Sequence, residues 1–177
     1  MKKPFCKVIF FIVFFSGATL CSDHARAQKL IFLFAHAVYS SPVDSYFKSG
    51  YKFGAGAEAG VGVGLLGKTF FTGTVGYSDF IHSSGNSSGN ISYIPVKIGI
   101  RHYLFAKILF VHADLGAGFI NSTAYSSSST KFAADIGAGV KLLGLEIIAD
   151  YDGFTRSDPS SGFSSWIAIK AGFNIGL

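Results

Sequence analysis

The sequence predicts an all-β fold: a transmembrane antiparallel up-and-down β-barrel of about eight strands. Three observations lead there. The 177-residue chain is apolar and aromatic, with 49% hydrophobic and 16% aromatic residues against 14% charged, a balance found in membrane proteins. Its one long unbroken apolar run, 8–15, falls short of the ~20 residues that a helix needs to span a bilayer. Beyond that run, apolar residues alternate with small or polar ones over segments of about ten to fifteen residues, the period-two signature of strands. A hydrophobic chain without a spanning helix can satisfy its backbone in lipid by closing a sheet into a barrel.

Residues 1–27 read as a secretion signal. Lys2, Lys3 and Lys7 form a positive n-region, 8–15 an apolar core, and Ala25-Arg26-Ala27 a small-x-small cleavage site that leaves Gln28 as the mature N-terminus. Cys21 raises a lipoprotein alternative, which the bulky Leu20 before it disfavours. The expected domains are therefore the signal, 1–27, and one barrel, 28–177. Four of the 15 Lys and Arg and one of the 10 Asp and Glu lie in the signal, so the mature chain carries a net charge of +2 rather than +5. Nucleic-acid binding needs a concentrated basic face, and none is present. Cys6 and Cys21 also leave with the signal, so no disulfide, thiolate metal site or cofactor is expected.

The strands are expected near 29–38, 50–64, 68–82, 91–103, 108–121, 131–142, 145–154 and 165–177. Their length suits tilted transmembrane strands, for which roughly 9–11 residues cross the hydrocarbon. Three connections are tight (65–67, 104–107, 142–144) and four are longer and polar (39–49, 83–90, 122–130, 155–164). Short periplasmic turns against longer extracellular loops are the pattern of an outer-membrane barrel. Parity assigns the faces. In the last strand Ile167, Ile169, Ala171, Phe173, Ile175 and Leu177 oppose Trp166, Lys170 and Asn174; in the fourth, Ile94, Val96, Ile98 and Ile100 oppose Tyr93, Lys97, Gly99 and Arg101. An unpaired charge facing lipid at mid-depth costs roughly 2–4 kcal/mol, so the charged faces look inward. A soluble lipocalin-like barrel, with its apolar face inside, is the alternative. Against it, aromatics crowd the strand ends (Tyr77, Phe80, Tyr93, Tyr103, Phe105, Tyr151, Phe154, Phe163, Trp166) as interfacial girdles do. Pro95 donates no ladder bond and is expected near the extracellular rim, absorbed by a bulge.

Thr74-Val75-Gly76-Tyr77, the run 93–105 (YIPVKIGIRHYLF), Asp114-Leu115-Gly116-Ala117-Gly118 and the closing 170–177 (KAGFNIGL) together resemble the small outer-membrane β-barrel domain family, the porin-family barrels of Gram-negative bacteria. The likeness spans nearly the whole mature chain. It implies placement in the outer membrane, contact with outer-membrane lipids, and insertion by the outer-membrane assembly machinery. The closing strand, with Phe173, Ile175 and Leu177, resembles the insertion signal, although it ends in Leu177 where an aromatic is usual. A family defined by fold implies no particular activity.

Other motifs are weaker. Gly62-Val63-Gly64-Leu65-Leu66-Gly67 matches G-x-G-x-x-G, but a dinucleotide site needs a following helix and a strand pattern follows. Asn86, Asn90 and Asn121 sit in glycosylation-like triplets that mark exposed loops. His82-x-Ser84, with Asp79 close in sequence, would suit a lipid A deacylase-like hydrolase if the histidine activated the serine. His36, His102 and His112 lie on separate strands without metal-ligand spacing, His102 pointing outward near a turn. No catalytic, cofactor-binding or metal residue is therefore assigned.

The strongest constellation is a lumen charge network: Glu58, His112, Asp114, Asp135, Glu146, Asp150 and Asp152 facing Lys97, Arg101, Lys141 and Lys170. An eight-stranded barrel is just wide enough for side chains to fill it, and buried charges need partners, so a salt-bridged plug is expected rather than an ion path. If the 104–107 turn is symmetric, Lys97 faces Asp114 while Ile98 and Ala113 face lipid; the 142–144 turn sets Lys141 near Glu146. The function these readings imply is a structural or surface-interaction barrel, its loops open to an extracellular ligand. A narrow pore or small-molecule transporter is the alternative, and a lipid A-modifying enzyme a more distant one.

Overall fold

The computed structural model describes residues 31–83, 89–105, 107–122, 128–156 and 162–177. Eight antiparallel strands follow one another in order and close on themselves: β1 (Ile31–Pro42), β2 (Tyr51–Leu66), β3 (Thr69–His82), β4 (Ile91–Phe105), β5 (Leu109–Ser122), β6 (Ser128–Leu142), β7 (Leu145–Thr155) and β8 (Phe163–Gly176), with β1 paired to β8. Closure leaves no unpaired edge, which is the condition for placing a sheet in lipid. No helix among the described residues is long and apolar enough to cross a membrane.

Alternation decides the two faces. In β4, Val96, Ile98 and Ile100 are exposed and Lys97, Gly99 and Arg101 buried; in β7, Leu145, Ile147, Ala149 and Tyr151 are exposed and Glu146, Ile148, Asp150 and Asp152 buried. The outer wall is thus an apolar belt and the charges are inside, the reverse of a lipocalin. Leu143 and Gly144 carry the two-residue β6–β7 turn at φ 52° and 89°, the doubly positive backbone of hairpin turns that match strand twist.

Four expectations need correction. The 39–49 segment is not all loop: β1 runs on to Pro42 and a short helix, α1 (Ser45–Gly50), follows. Asp44 caps it, its carboxylate accepting from the Phe47 amide at 3.0 Å. β6 likewise starts earlier than 131, at Ser128. Pro95 needs no bulge: β3–β4 pairing is interrupted beside it and resumes in the same register, while Pro95 keeps its place opposite Gly118 on β5. The ring is buried against Gly76, where a Cβ would come within 3.1 Å of it. Finally, much of the supposed aromatic girdle is interior. Phe80, Tyr93, Tyr103, Phe154 and Trp166 are buried, whereas Tyr77, Phe105 and Tyr151 do face outward.

Interior aromatics form two layers. At the loop end Phe47 of α1 drops into the mouth against Phe80, Phe154 and Trp166, with ring centroids 5.0, 5.8 and 5.6 Å away, and Tyr93 and Ile91 complete the cluster. At the turn end Phe32, Phe34, Phe70, Tyr103, Phe110 and Ile148 close the barrel.

The outward register of β4 carries a direct test. Ile98 is 52% exposed in mid-strand, so Ile98→Lys should cost roughly 2–4 kcal/mol in a bilayer, whereas Leu143→Lys at the turn should change stability by less than about 0.5 kcal/mol. Urea unfolding of the barrel refolded into phospholipid vesicles measures both; equal effects would contradict the assigned faces.

Candidate functional site: the lumen network and the barrel mouth

Between the two aromatic layers lies one continuous chain of hydrogen bonds and ion pairs. Lys141 Nζ donates to Asn174 Oδ1 at 2.5 Å, and Asn174 Nδ2 donates to Glu146 Oε1 at 2.8 Å. Glu146 also takes both contacts of Arg101 Nη1, at 3.0 and 3.1 Å, and one from His36 Nε2 at 3.0 Å. His36 Nδ1 meets Glu58 at 3.0 Å, Glu58 accepts from Lys170 at 2.8 Å, and Lys170 lies 2.6 Å from Asp150. Asp150 reaches His112 Nε2 at 2.8 Å; His112 Nδ1 meets Asp114 at 2.7 Å and approaches Asp135 at 3.4 Å. Lys97 bonds Asp135 and, at 3.0 Å, Asp152, and Thr72 donates to Asp114 at 2.9 Å.

The composition of this network follows from charge balance. Six carboxylates face Lys97, Arg101, Lys141 and Lys170, and an ionised carboxylate only accepts. His36 and His112 each present both ring nitrogens to carboxylates, so with the acids ionised both imidazoles donate twice and are cationic. Six positive groups then match six negative ones. Glycines opposite the acids make the space: a Cβ at Gly99 would lie 2.1 Å from Asp114 Oδ1, and one at Gly137 only 1.9 Å from Asp150 Oδ1. At the turn end the Arg101 guanidinium sits over the Phe32, Phe34 and Phe110 rings, closest to Phe110 at 4.3 Å, so charge passes into the aromatic layer by a cation–π stack.

Glu58, Lys97, Arg101, His112, Asp114, Asp135, Glu146, Asp150 and Lys170 are all buried and joined here, and Lys141 is half-buried at the turn end. Two findings differ from expectation. Lys97 does not meet Asp114: the β4–β5 ladder places Lys97 opposite Gly116 and Asp114 opposite Gly99, two residues from the symmetric alignment, because the chain turns about Lys107, with Phe105 opposite Leu109, rather than about the middle of 104–107. The symmetric β6–β7 turn does pair Lys141 with Glu146 as backbone neighbours, although the lysine bonds Asn174. His36 is the member that sequence reasoning missed. β1 reads IFLFAHAVY, apolar on both faces, and its parity becomes visible only through pairing to Glu58 and Gly172.

Spacing along the chain also concealed a grouping across it: donor atoms of His112, Asp135 and Asp150 lie within 4.8 Å of one another. Lys97 and Lys170 already bond those two carboxylates, taking the part that a bound cation would play. His102 is exposed, 2.8 Å from Thr69 Oγ1. His82 contacts the Tyr51 ring edge-on and Asp79 bonds Ser92, whereas Ser84 lies outside the described residues, as do Ala25, Ala27 and Gln28. The glycines at 62 and 64 belong to β2 and Gly67, at φ 56°, to the β2–β3 turn.

No protein-family model matches the sequence, and no curated protein matches it. Solved structures do. Neisserial surface protein A covers 86% of this chain and 100% of its own at 12% identity, with a TM-score of 0.56. The Yersinia pestis outer membrane protein Ail, in a phospholipid bilayer nanodisc, covers 82% and 99% at 16% identity, again at 0.56. The fold is that of the small eight-stranded outer-membrane β-barrels. The outer membrane protein OprG of Pseudomonas aeruginosa matches less closely, covering 83% and 95% at 9% identity with a TM-score of 0.50. At such identities the likeness is one of architecture, and what this barrel does rests on its own residues.

A double-mutant cycle tests the network. Asp152 accepts from Lys97 through Oδ2 and has no partner at Oδ1. Lys97→Met should cost roughly 3–5 kcal/mol by leaving buried carboxylates uncompensated, and adding Asp152→Asn should recover part of that loss. Strictly additive losses in urea unfolding would show that the pair is not coupled.

Proposed function

We propose that this chain is an exported outer-membrane barrel with a sealed interior, and that it serves a structural or surface-interaction role through its loop end. The observation that carries this reading is the filled lumen: an aromatic layer at each end with a charge-balanced network between them. The cavity inside the network, lined by Glu58, Arg101, His112, Asp114, Asp135 and Lys170 among others, holds only ≈ 10 Å³, about the space of one water. An ion would have to break several buried pairs to pass, which disfavours a pore. For a lipid A-modifying reaction, His82 has Asp79 near it in sequence, but Asp79 points its carboxylate at Ser92 on the outer wall.

Export itself rests on the segment 1–27, and membrane insertion on the outward row of Phe173 and Ile175 at the end of β8 and Leu177 just after it, which are 62%, 64% and 67% exposed. Outer-membrane lipids contact the apolar belt, and the assembly machinery is the expected partner of the closing strand.

Two measurements test the reading. Purified barrel in planar bilayers should show no regular conductance steps, and uniform single-channel events would reverse the assignment to a sealed barrel. Protein recovered from outer membranes should begin at Gln28; an intact N-terminus there would remove the signal assignment.

A further inference from the structure

The loop end contains a cavity that the lumen network does not use. It has a volume of ≈ 360 Å³ and lies between α1 and the ends of β4 to β8, within the range of small-molecule sites. Its lining is mixed: Phe47, Ile91, Ile120 and Phe154 are apolar, Tyr51, Ser129, Thr155 and Ser164 bring hydroxyls, and Lys131 and Arg156 are the two cations. Arg156 is held in place by a chelated arrangement. Its Nη1 donates to Asp44 Oδ2 at 3.1 Å, its guanidinium lies 4.8 Å from the Tyr46 ring centroid, and its backbone amide bonds the Gly162 carbonyl at 2.9 Å. Its Nε is buried and has no hydrogen-bond partner. A buried, unpaired guanidinium N–H costs free energy, and this one belongs to a cation that lines the cavity.

We propose that this cavity is a binding site for a small carboxylate with an apolar body, such as an aromatic or short aliphatic acid. The apolar part would lie on Phe47, Ile91, Ile120 and Phe154, and the carboxylate would accept from Arg156, with Lys131 adding charge. Two features favour this class over a neutral ligand: Lys131 and Arg156 both line the cavity, and Phe47, Ile91, Ile120 and Phe154 give an apolar body a surface to cover. Asp44 is the internal competitor. It already occupies one guanidinium nitrogen and also caps α1 through the Phe47 amide. The proposal rests on a sealed barrel that works at its loop end, and it names the ligand class for that end.

Trp166, the single tryptophan, reports on the site because its ring lies 5.6 and 5.7 Å from those of Phe47 and Phe154. Barrel refolded in phosphatidylcholine vesicles is titrated with 3-phenylpropionate, with its neutral amide and with glucuronate, reading Trp166 emission. Saturable binding of the phenylpropionate is expected, with the amide and glucuronate weaker by about tenfold or more, the size of one charge-assisted hydrogen bond. Arg156→Gln should weaken binding by a similar factor. Asp44→Asn keeps a capping side chain but frees the guanidinium, so it should strengthen binding. If the Arg156–Asp44 pair only held α1 in place, both substitutions would weaken it alike. Equal affinity for acid and amide, preference for glucuronate, or loss in both variants overturns the proposal. Gel mobility of unboiled samples confirms that each variant is folded. Conductance is measured separately, so ion flow would sink the sealed-barrel reading whether or not the acid binds.

Discussion

Everything in this molecule depends on filling a closed eight-stranded cylinder. Closure satisfies the backbone in lipid, but it also creates an interior that only side chains can occupy. A soluble protein would fill that space with apolar residues; here the apolar residues are needed on the outside. The interior is therefore built from what the period-two alternation leaves over, namely glycine, small polar residues, aromatics and charges. Buried charges are tolerable only as partners, so the network has to balance. With the acids ionised, the doubly donating imidazoles of His36 and His112 complete a balance that the lysines and the arginine leave short.

The aromatic layers have a physical role in that balance. Water reaching either end of the network would raise the local dielectric and weaken each pair. Phe32, Phe34, Phe70, Tyr103 and Phe110 close one end, and α1 closes the other by lowering Phe47 onto Phe80, Phe154 and Trp166. The helix is too short to be stable alone. It persists because Asp44 caps it, because Asp44 is tied to Arg156, and because the amides of Val43 and Asp44 bond the Ser165 carbonyl at 3.0 and 3.3 Å. The seal at the mouth and the ligand-facing arginine are thus parts of one small assembly.

Much of this architecture was legible from alternation. Strands with charge on one face and branched aliphatics on the other, such as β4 and β7, declare their parity because a lipid-facing charge is costly. β1 does not, since Phe32, Phe34 and Ala35 suit either face, and His36 was lost with it. Aromatics misled for a related reason: a ring near a strand end fits an interfacial belt or a plug, and only its register tells which. Asp44, three residues before Phe47, was a readable capping signal inside a segment taken as loop.

Register shows where sequence reasoning stops. The β6–β7 hairpin turns on Leu143 and Gly144 alone, with both backbones in the left-handed region, and a two-residue turn of that kind leaves no freedom in the alignment; Lys141 falls opposite Glu146. The β4–β5 connection is longer and carries a register shift between Tyr103 and Phe105. A displacement of two residues preserves every inward and outward assignment, because the side-chain period is also two. It changes only who meets whom. Ile98 and Ala113 still face lipid and Lys97 and Asp114 still face the lumen, yet Lys97 finds its acids on β6 and β7 instead of β5. The face of each residue is therefore tightly constrained and the identity of any single partner only loosely. In a narrow lumen a long lysine reaches across the barrel as easily as along the ladder, and the network tolerates the shift because any inward carboxylate within reach can complete it.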